Sequence, residues 1–388
     1  MNNKLKKIFA ICFYAFFING VTALIFGAIM PNILTDFNLG YDQGGMLLSV
    51  QSIGNLLISF IAGMVSVYLG RRTAIVVLSS MTALGFLAMS FTTTPALLFL
   101  PFFLTGAGRG SVTNIGNSII NEESDSRAGP LNLLHTFFAV GAFMTPLFAA
   151  WALDAGYSWR WILRLIAILA AILVIAFRTM PIDNTKGVAK KRVITDRSNS
   201  FLKNTDFYLA AGILFFYVGV EYAVNGWIVT YLRDAGIMSA AMAQRILSIL
   251  WIIIIFGRLF SSFISNYVDK KSILLVSSIG TVIFFALFIL SSNLWAIIIC
   301  ILGLGFCLSG IYPTTVSDVG QVLTQSPMAM GTLLAVAGLG GILMPYLVGV
   351  VAELRGITGG MIAISVAVVL MFVLTLVNRI RRRDIQTF

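Results

Sequence analysis

The chain has 388 residues, of which 59% are hydrophobic and only 11% charged, with a mean hydropathy of +0.95. A soluble domain carries about 25% charged and about 45–50% apolar residues, so a soluble enzyme and a disordered chain are both excluded. In a chain this apolar, the net charge of +11 points to basic loops at a membrane face rather than to nucleic acid.

The apolar residues come in runs of roughly 20, the length a helix needs to cross a bilayer. In chain order the runs predict spans at 8–33, 42–69, 73–92, 95–120, 130–155 and 159–180, then at 203–232, 239–266, 272–291, 293–318, 326–353 and 358–380. The breaks fall at turn residues such as Asn38-Leu39-Gly40, Thr92-Thr93-Thr94-Pro95 and Gly129-Pro130. The short alternating segments of a β-barrel are absent. The first run follows Lys4, Lys6 and Lys7 like a signal peptide, but it is too long and lacks a small-residue cleavage site. The expected fold is an all-α membrane protein of 12 transmembrane helices in two six-helix halves.

Residues 181–202 form the one substantial polar stretch and divide the chain into an N-terminal half, 1–180, and a C-terminal half, 203–388. The stretch reads as a solvated cytoplasmic linker, with regulation or lipid binding as the other reading. An internal repeat supports the division. Gly106-Ala107-Gly108 is echoed by Gly303-Leu304-Gly305, Arg71-Arg72 by Lys270-Lys271, Met144-Thr145-Pro146 by Leu343-Met344-Pro345, and Asp154 by Glu353, all at offsets of 197–199. Two repeated halves with a site between them near the midplane describe a secondary transporter. A Walker A sequence is missing, which disfavours ATP-driven transport.

With both termini in the cytoplasm, the inner loops hold 19 Lys and Arg residues and the outer loops five, namely Arg160, Arg164, Arg233, Arg245 and Arg355. That asymmetry sets the expected orientation. The absence of an Asn-x-Ser/Thr sequon favours a bacterial inner membrane. The expected working form is a monomer in membrane lipid.

The order of segments resembles the major facilitator superfamily. Gly63-Met-Val-Ser-Val-Tyr-Leu-Gly70-Arg71-Arg72 is similar to its loop motif G-x-x-x-D-R-x-G-R-R, with Val67 at the acidic position and Tyr68 at the first basic one. Within the superfamily the chain resembles the fucose:proton symporter branch. The matching segments are Leu131-Asn132-Leu133-Leu134-His135-Thr136-Phe137, Phe216-Tyr217-Val218-Gly219-Val220-Glu221, Gly257-Arg258-Leu259, Tyr312-Pro313-Thr314 and Gly340-Gly341-Ile342-Leu343-Met344-Pro345. The resemblance implies the fold and alternating access. It does not carry over the branch's two acids: alignment on Pro31 puts Gly27 at the first, and alignment on Asn117 puts Thr113 at the second. His135 stands where the fucose symporter has Gln. The drug-antiporter signature of the fifth span is replaced by Gly141-Ala-Phe-Met-Thr-Pro146, which lowers multidrug efflux.

Polar groups in hydrocarbon cost free energy unless paired, and ionisable ones there are rare and usually functional. Glu221 is the acidic residue placed deep in a span; it could carry a proton, bind sodium or accept hydrogen bonds from a solute, or be a structural ion pair. Asn225 lies one turn on. Arg109, mid-span, is an anion anchor, a partner of Glu221, or a structural residue. His135, the one histidine, is a second candidate proton carrier through its near-neutral pKa. Gly110, Asn114, Asn117 and Asn121 lie on one helix face, suited to a polyhydroxylated ligand or to helix packing. Asn19, Gln51 and Asn55 are similar candidates, and Trp227 and Tyr312 could stack on a sugar ring or simply pack. Arg258 reads as structural, and Glu122, Glu123 and Asp125 as a solvated loop.

Cys12, Cys300 and Cys307 sit inside apolar runs, without the Cys/His spacing of a metal site. No cofactor is expected. No nucleophile–base pair stands out, so the chain is not expected to be an enzyme. The expected activity is alternating-access transport of a small polar solute, a sugar or sugar derivative, coupled to a proton or sodium. The rivals are an organic-anion or drug transporter anchored on Arg109 and a membrane sensor without flux.

Overall fold

A computed structural model describes residues 3–124, 128–182, 199–325 and 327–386. Among these the secondary structure is helical, without a strand. The helices are α1 (Asn3–Phe37), α2 (Tyr41–Leu69), α3 (Arg71–Phe91), α4 (Phe99–Glu123), α5 (Ala128–Asp154), α6 (Trp159–Arg178), α7 (Thr205–Asp234), α8 (Ala240–Ile264), α9 (Lys270–Leu290), α10 (Leu294–Ser309), α11 (Ile311–Asp318), α12 (Gly320–Gln325) and α13 (Pro327–Gln386). Most of the expected polar linker, residues 183–198, lies outside the described residues, as do Asp125 and Arg127.

Eleven described stretches are helical, long and apolar enough to cross a membrane. One of them, Met328–Arg381, has 54 residues. At about 1.5 Å per residue it would run about 80 Å, far more than the roughly 30 Å of hydrocarbon. It breaks at Gly356, where φ is 75° and ψ 164°, a conformation that a β-carbon disfavours. The two arms on either side restore the twelfth crossing. Another stretch, Leu294–Asp318, is built from α10 and α11 together.

The helices start where short polar side chains meet otherwise unpaired backbone donors. Ser158 opens α6 by accepting the Trp161 N–H, and Ser239 opens α8 by accepting that of Met242. Asn204 opens α7, and Asp269 opens α9. Asn293 serves α10 twice, at 2.9 Å from Trp295 N and 3.3 Å from Ala296 N.

The chain divides into two compact units. Unit 1 comprises Met1–Gly40 and Met46–Val193, and unit 2 comprises Tyr41–Gly45 and Ile194–Phe388. Unit 1 has a core of Ile8, Phe16, Ile75, Ile115, Leu134 and Phe177. In unit 2, Phe207, Leu214, Ala329 and Leu333 form a core under α7 and α13.

Glycine brings α1 against α5 in unit 1 and α7 against α13 in unit 2. In unit 1 a Cβ on Gly20 of α1 would lie 2.0 Å from the Phe138 carbonyl oxygen of α5, and one on Gly141 would lie 2.2 Å from that of Phe17. In unit 2 a Cβ on Gly340 of α13 would lie 1.9 Å from the Phe215 carbonyl oxygen of α7, and one on Gly219 would lie 2.5 Å from Met344 Cγ. Gly20 and Gly219, like Gly141 and Gly340, are 199 positions apart, the spacing of the internal repeat. In an apolar solvent the hydrophobic effect does not press helices together, so close packing of small residues takes over that role. Outward-facing side chains are apolar instead: Leu290, Leu354 and Ile175 are largely exposed, as a lipid-facing surface requires.

Candidate functional site

In unit 2, Tyr217, Glu221 and Asn225 stand one turn apart on one face of α7. Tyr217 is buried at 1% exposure, while Glu221 and Asn225 are half-buried. The charges of Glu221, on its own helix, and of Arg258, on α8, both act on the Tyr217 hydroxyl. Tyr312, on α11, has its ring 6.0 Å from that of Tyr217 and feels the charges of both Glu221 and Arg258. Asn225 accepts from Trp251 Nε1 at 3.1 Å.

Trp227 is fully buried, and its Nε1 donates to the Pro345 carbonyl at 2.9 Å. Its ring packs 6.0 Å from that of Tyr41, and its edge lies 3.2 Å from the Cβ position of Gly349. The indole is thus engaged by the protein itself.

In unit 1, Asn19 on α1 donates to the Thr113 hydroxyl on α4 at 2.8 Å, and Thr113 donates back to the Arg109 carbonyl at 3.1 Å. Thr113 occupies the position where the fucose branch carries an acid, and here it holds two helices together. Gln51 Nε2 donates to the Thr22 carbonyl at 3.3 Å. Arg109, Asn19, Thr22, Ser79 and Thr82 line a cavity of about 10 Å³, with room for one water. Asn19 Oδ1 is buried without a hydrogen-bond partner among the described residues, which fits a water there.

The asparagine face of α4 is not uniform. Asn114 is exposed, Asn117 and Asn121 are half-buried, and Gly110 packs 2.2 Å (by its Cβ position) from the Asn55 carbonyl oxygen. His135 on α5 is exposed and sets its ring edge-on to Phe16, with centroids 5.4 Å apart. Among the described residues no cluster of three or more His, Cys, Asp or Glu could hold a metal.

Among the described residues two of the polar groups are Glu221, Tyr217, Arg258 and Tyr312 in unit 2, and Arg109, Asn19 and Thr113 in unit 1. Arg258, read from the sequence as structural, acts by its charge on Tyr217 and Tyr312 of the first. Ser79 and Thr82 were not singled out, because a hydroxyl in an apolar helix carries no signal until a neighbour is known. Tyr217 was legible in principle from its four-residue spacing to Glu221.

Residues 12–323 match the profile of the Major Facilitator Superfamily. The chain belongs to that superfamily. Protein TsgA of Shigella flexneri is similar to it, 26% identical over 413 residues that cover 100% of this chain and 99% of that protein. The TsgA homolog of Buchnera aphidicola subsp. Baizongia pistaciae (strain Bp) is 24% identical over 385 residues, covering 97% of each. Among solved structures, a point mutant of the nucleoside transporter NupG superposes with a TM-score of 0.77 at 20% identity, covering 97% of this chain and 98% of NupG. A bacterial homolog of the human lysosomal transporter Spinster, in an inward-facing and occupied conformation, gives 0.75 at 14% identity, covering 97% of each chain. At these identities the structural likeness establishes the fold. The protein is accordingly a multi-pass membrane transporter and not an enzyme.

In this superfamily transporter the segment resembling the loop motif is locked by charges from elsewhere. Val67 and Tyr68 replace the motif's ionic residues, yet Arg71 makes a two-pronged ion pair with Glu122 at the end of α4, its Nη2 lying 2.7 Å from Oε1. Glu122 is therefore not the solvated loop residue expected from its acidic neighbourhood. Arg72 Nη2 donates to the Ile182 carbonyl at 2.6 Å. In the second copy, Asp269 accepts from Ser272 Oγ at 2.5 Å and from Arg379 Nη1 at 2.6 Å. Burial alone would raise the Asp269 pKa, but the Ser272 hydroxyl, the Arg379 charge and the α9 N–H groups outweigh it and hold it below the ordinary carboxylate value. Lys270 Nζ donates to the Ser317 carbonyl at 2.8 Å, and Asn378 Nδ2 donates to Asp318 at 3.1 Å.

Proposed function

We propose that this protein is an ion-coupled symporter of a small polar solute, a sugar or sugar derivative, working by alternating access. The observation that carries this reading is Glu221. It stands at mid-length of a membrane-spanning helix, half-buried, amid Tyr217, Arg258, Tyr312 and Asn225. Hydroxyl, amide and carboxylate groups in one apolar helical bundle suit a polyhydroxylated ligand, and an intramembrane ionisable residue is retained for use. NupG, named as a nucleoside transporter, is a chain of this fold that serves a sugar derivative. The five segments shared with the fucose:proton symporter branch point the same way.

In this reading Glu221, Asn225 and Tyr312 supply the solute contacts of unit 2, and Asn114, Asn117 and His135 those of unit 1. The exposure of Asn114 supports the assignment, because an uncovered amide within an apolar helix needs water or solute rather than lipid. Glu221 and His135 are the candidate ion carriers. Asn19, Gln51 and Trp227, engaged by protein partners, shape the helices that carry the site. The halves 1–180 and 203–388 are the moving bodies, with 181–202 as the tether. Both termini lie in the cytoplasm of a bacterial inner membrane, a placement that the basic-residue asymmetry supports.

The organic-anion reading draws less support. A cavity of about 10 Å³ beside Arg109 admits a water, far below the roughly 300–1,000 Å³ of a drug-sized site.

The test is a thermal-shift screen of the purified protein in detergent against neutral sugars, nucleosides and small organic anions. A ligand at a hundredfold excess over its Kd adds about 2.7 kcal/mol of stability. A shift with a sugar or nucleoside, followed by flux of that solute into proteoliposomes, supports the proposal. A shift with anions alone, abolished by Arg109→Gln, overturns it. Full accumulation driven by a pH gradient in Glu221→Gln removes Glu221 as the proton carrier.

A further inference from the structure

We infer that unit 1 seats a phospholipid at the α5–α6 turn, with the headgroup phosphate on Arg164 and the ester region against the rings of Trp151, Tyr157 and Trp161. The inference rests on the membrane fold and stands apart from the choice of transported solute.

The helix ends set the depth of this seat. α5 and α6 are 27 and 20 residues long, so each crosses the hydrocarbon and the turn between them lies at a membrane surface. Arg160, in the first turn of α6, marks that surface. Its guanidinium lies 2.5 Å from Asp36 at the end of α1 and 3.0 Å from the Thr92 carbonyl just past α3. The Arg160 charge is thus answered within the protein. Arg164 stands one turn further along α6, about 6 Å deeper at about 1.5 Å per residue.

Arg164 has no such anion. It is exposed, and its guanidinium lies over the Phe91 ring, 4.8 Å from the centroid. Among the described residues it makes no hydrogen bond or ion pair. A cation below the membrane surface is costly unless paired, and its long stem lets it reach up toward the headgroups. The anion at that depth, on a helix face open to lipid, is a phosphodiester, which a guanidinium binds through two parallel N–H donors.

The rings complete the seat. Trp161 precedes Arg164 by three residues and so shares its face of α6. The Trp161 ring stacks on that of Tyr157 with centroids 4.5 Å apart, and Tyr157 lies 6.0 Å from Trp151. Phe148 closes the cycle, 5.6 Å from Trp151 and 6.3 Å from Trp161. Trp151 is 56% and Tyr157 44% exposed, so these faces are open to a ligand. Among the described residues the Tyr157 hydroxyl and both indole N–H groups make no hydrogen bond. Amphipathic rings of this kind belong at the level where one end is apolar and the other meets acceptors. The seat therefore offers donors alone, and the phosphate and ester oxygens of a phospholipid are acceptors alone.

The experiment titrates the purified, delipidated protein in detergent with dioleoylphosphatidylethanolamine and counts bound lipid by native mass spectrometry. Dioleoylglycerol, with the same chains and esters but no phosphate, is titrated in parallel. Wild type should hold a first phospholipid several-fold more tightly than Arg164→Gln, with Arg164→Lys in between. Ile175→Ala, altered at an exposed position about three turns further along the same face, should match wild type. Dioleoylglycerol should not distinguish wild type from Arg164→Gln. A second readout needs no Arg164 variant and holds if Arg164→Gln fails to fold. In nanodiscs, a spin label at headgroup level should quench the tryptophan emission that Trp151→Phe/Trp161→Phe removes more than a mid-chain label does. Equal phospholipid affinity in wild type and Arg164→Gln, or stronger quenching from mid-chain, overturns the inference. So does displacement of the first lipid by inorganic phosphate, which would make the seat a free-anion site, or a dimer that buries the rings. Failure of the solute screen leaves each of these readouts unchanged and counts against the proposed function alone.

Discussion

The backbone N–H of Tyr41 donates to the Glu353 carboxylate at 2.8 Å, a bond that spans 312 positions of sequence inside unit 2. Tyr41 is the first residue of α2, and its N–H is one of the donors that a helix start leaves unpaired. A carboxylate there acts as a borrowed cap and also meets the positive end of the helix dipole. The Tyr41 hydroxyl meanwhile donates to Asp234 at 3.0 Å, and Gly349 lets the backbones close to a Cβ-to-oxygen distance of 2.4 Å. Glu353→Ala is expected to cost about 1 kcal/mol of stability, the usual worth of a cap. Tyr41→Phe keeps the backbone bond and should cost less. Thermal unfolding of both variants at neutral pH checks the order.

Asp269 gives a pH prediction with a definite sign. Its carboxyl is held below the ordinary value in the folded protein, so its contribution is present above the unfolded value of about 3.9 and is lost as pH falls through the folded one. Asp269→Asn should therefore lower Tm at neutral pH and approach wild type in acid. A Tm series over pH for both proteins is the measurement. A difference that persists unchanged into acid would assign the loss to packing instead.

The glycine pairs predict a sharp contrast in tolerance. Gly340→Ala puts a methyl 1.9 Å from the Phe215 carbonyl oxygen, and Gly20→Ala puts one 2.0 Å from that of Phe138. Each should cost about 1–3 kcal/mol through forced separation of the helices. Gly63→Ala meets nothing within 4 Å and should be neutral or slightly stabilising. Folded yield and Tm of the three variants in detergent decide the matter.

Trp227 separates scaffold from solute contact. Trp227→Phe keeps a ring but deletes the donor to the Pro345 carbonyl, which should cost about 1 kcal/mol of stability. As a scaffold residue it should lower Tm with little change in solute affinity. A loss of affinity at unchanged Tm would instead place Trp227 against the solute. Both quantities come from one ligand-titrated unfolding experiment.

Much of the fold was legible in the residues alone. Run length marks a crossing because the bilayer imposes a length, and the turn residues between runs mark the ends. The break at Gly356 falls in the gap expected between the runs ending at 353 and starting at 358, although the helical backbone resumes directly on both sides. The repeat offset of 197–199 reappears as the 199-residue spacing of the packing glycines, because both halves use the same close crossing. Glu221 was equally legible as a lone acid in an apolar run, since such a residue is conspicuous whatever surrounds it.

Partners were another matter. Arg71 meets Glu122 although its own motif lacks the usual acid. Asn19 reaches Thr113 on α4. None of these pairs follows from spacing, because each joins helices whose rotation and depth are set by packing against a third element. By itself, then, the sequence determined what the membrane dictates: the number of crossings, the repeated halves and the scarcity of intramembrane charge. The tertiary structure decided which polar groups meet, because side-chain pairing in hydrocarbon depends on how helices turn and approach, and that is a property of the packed bundle.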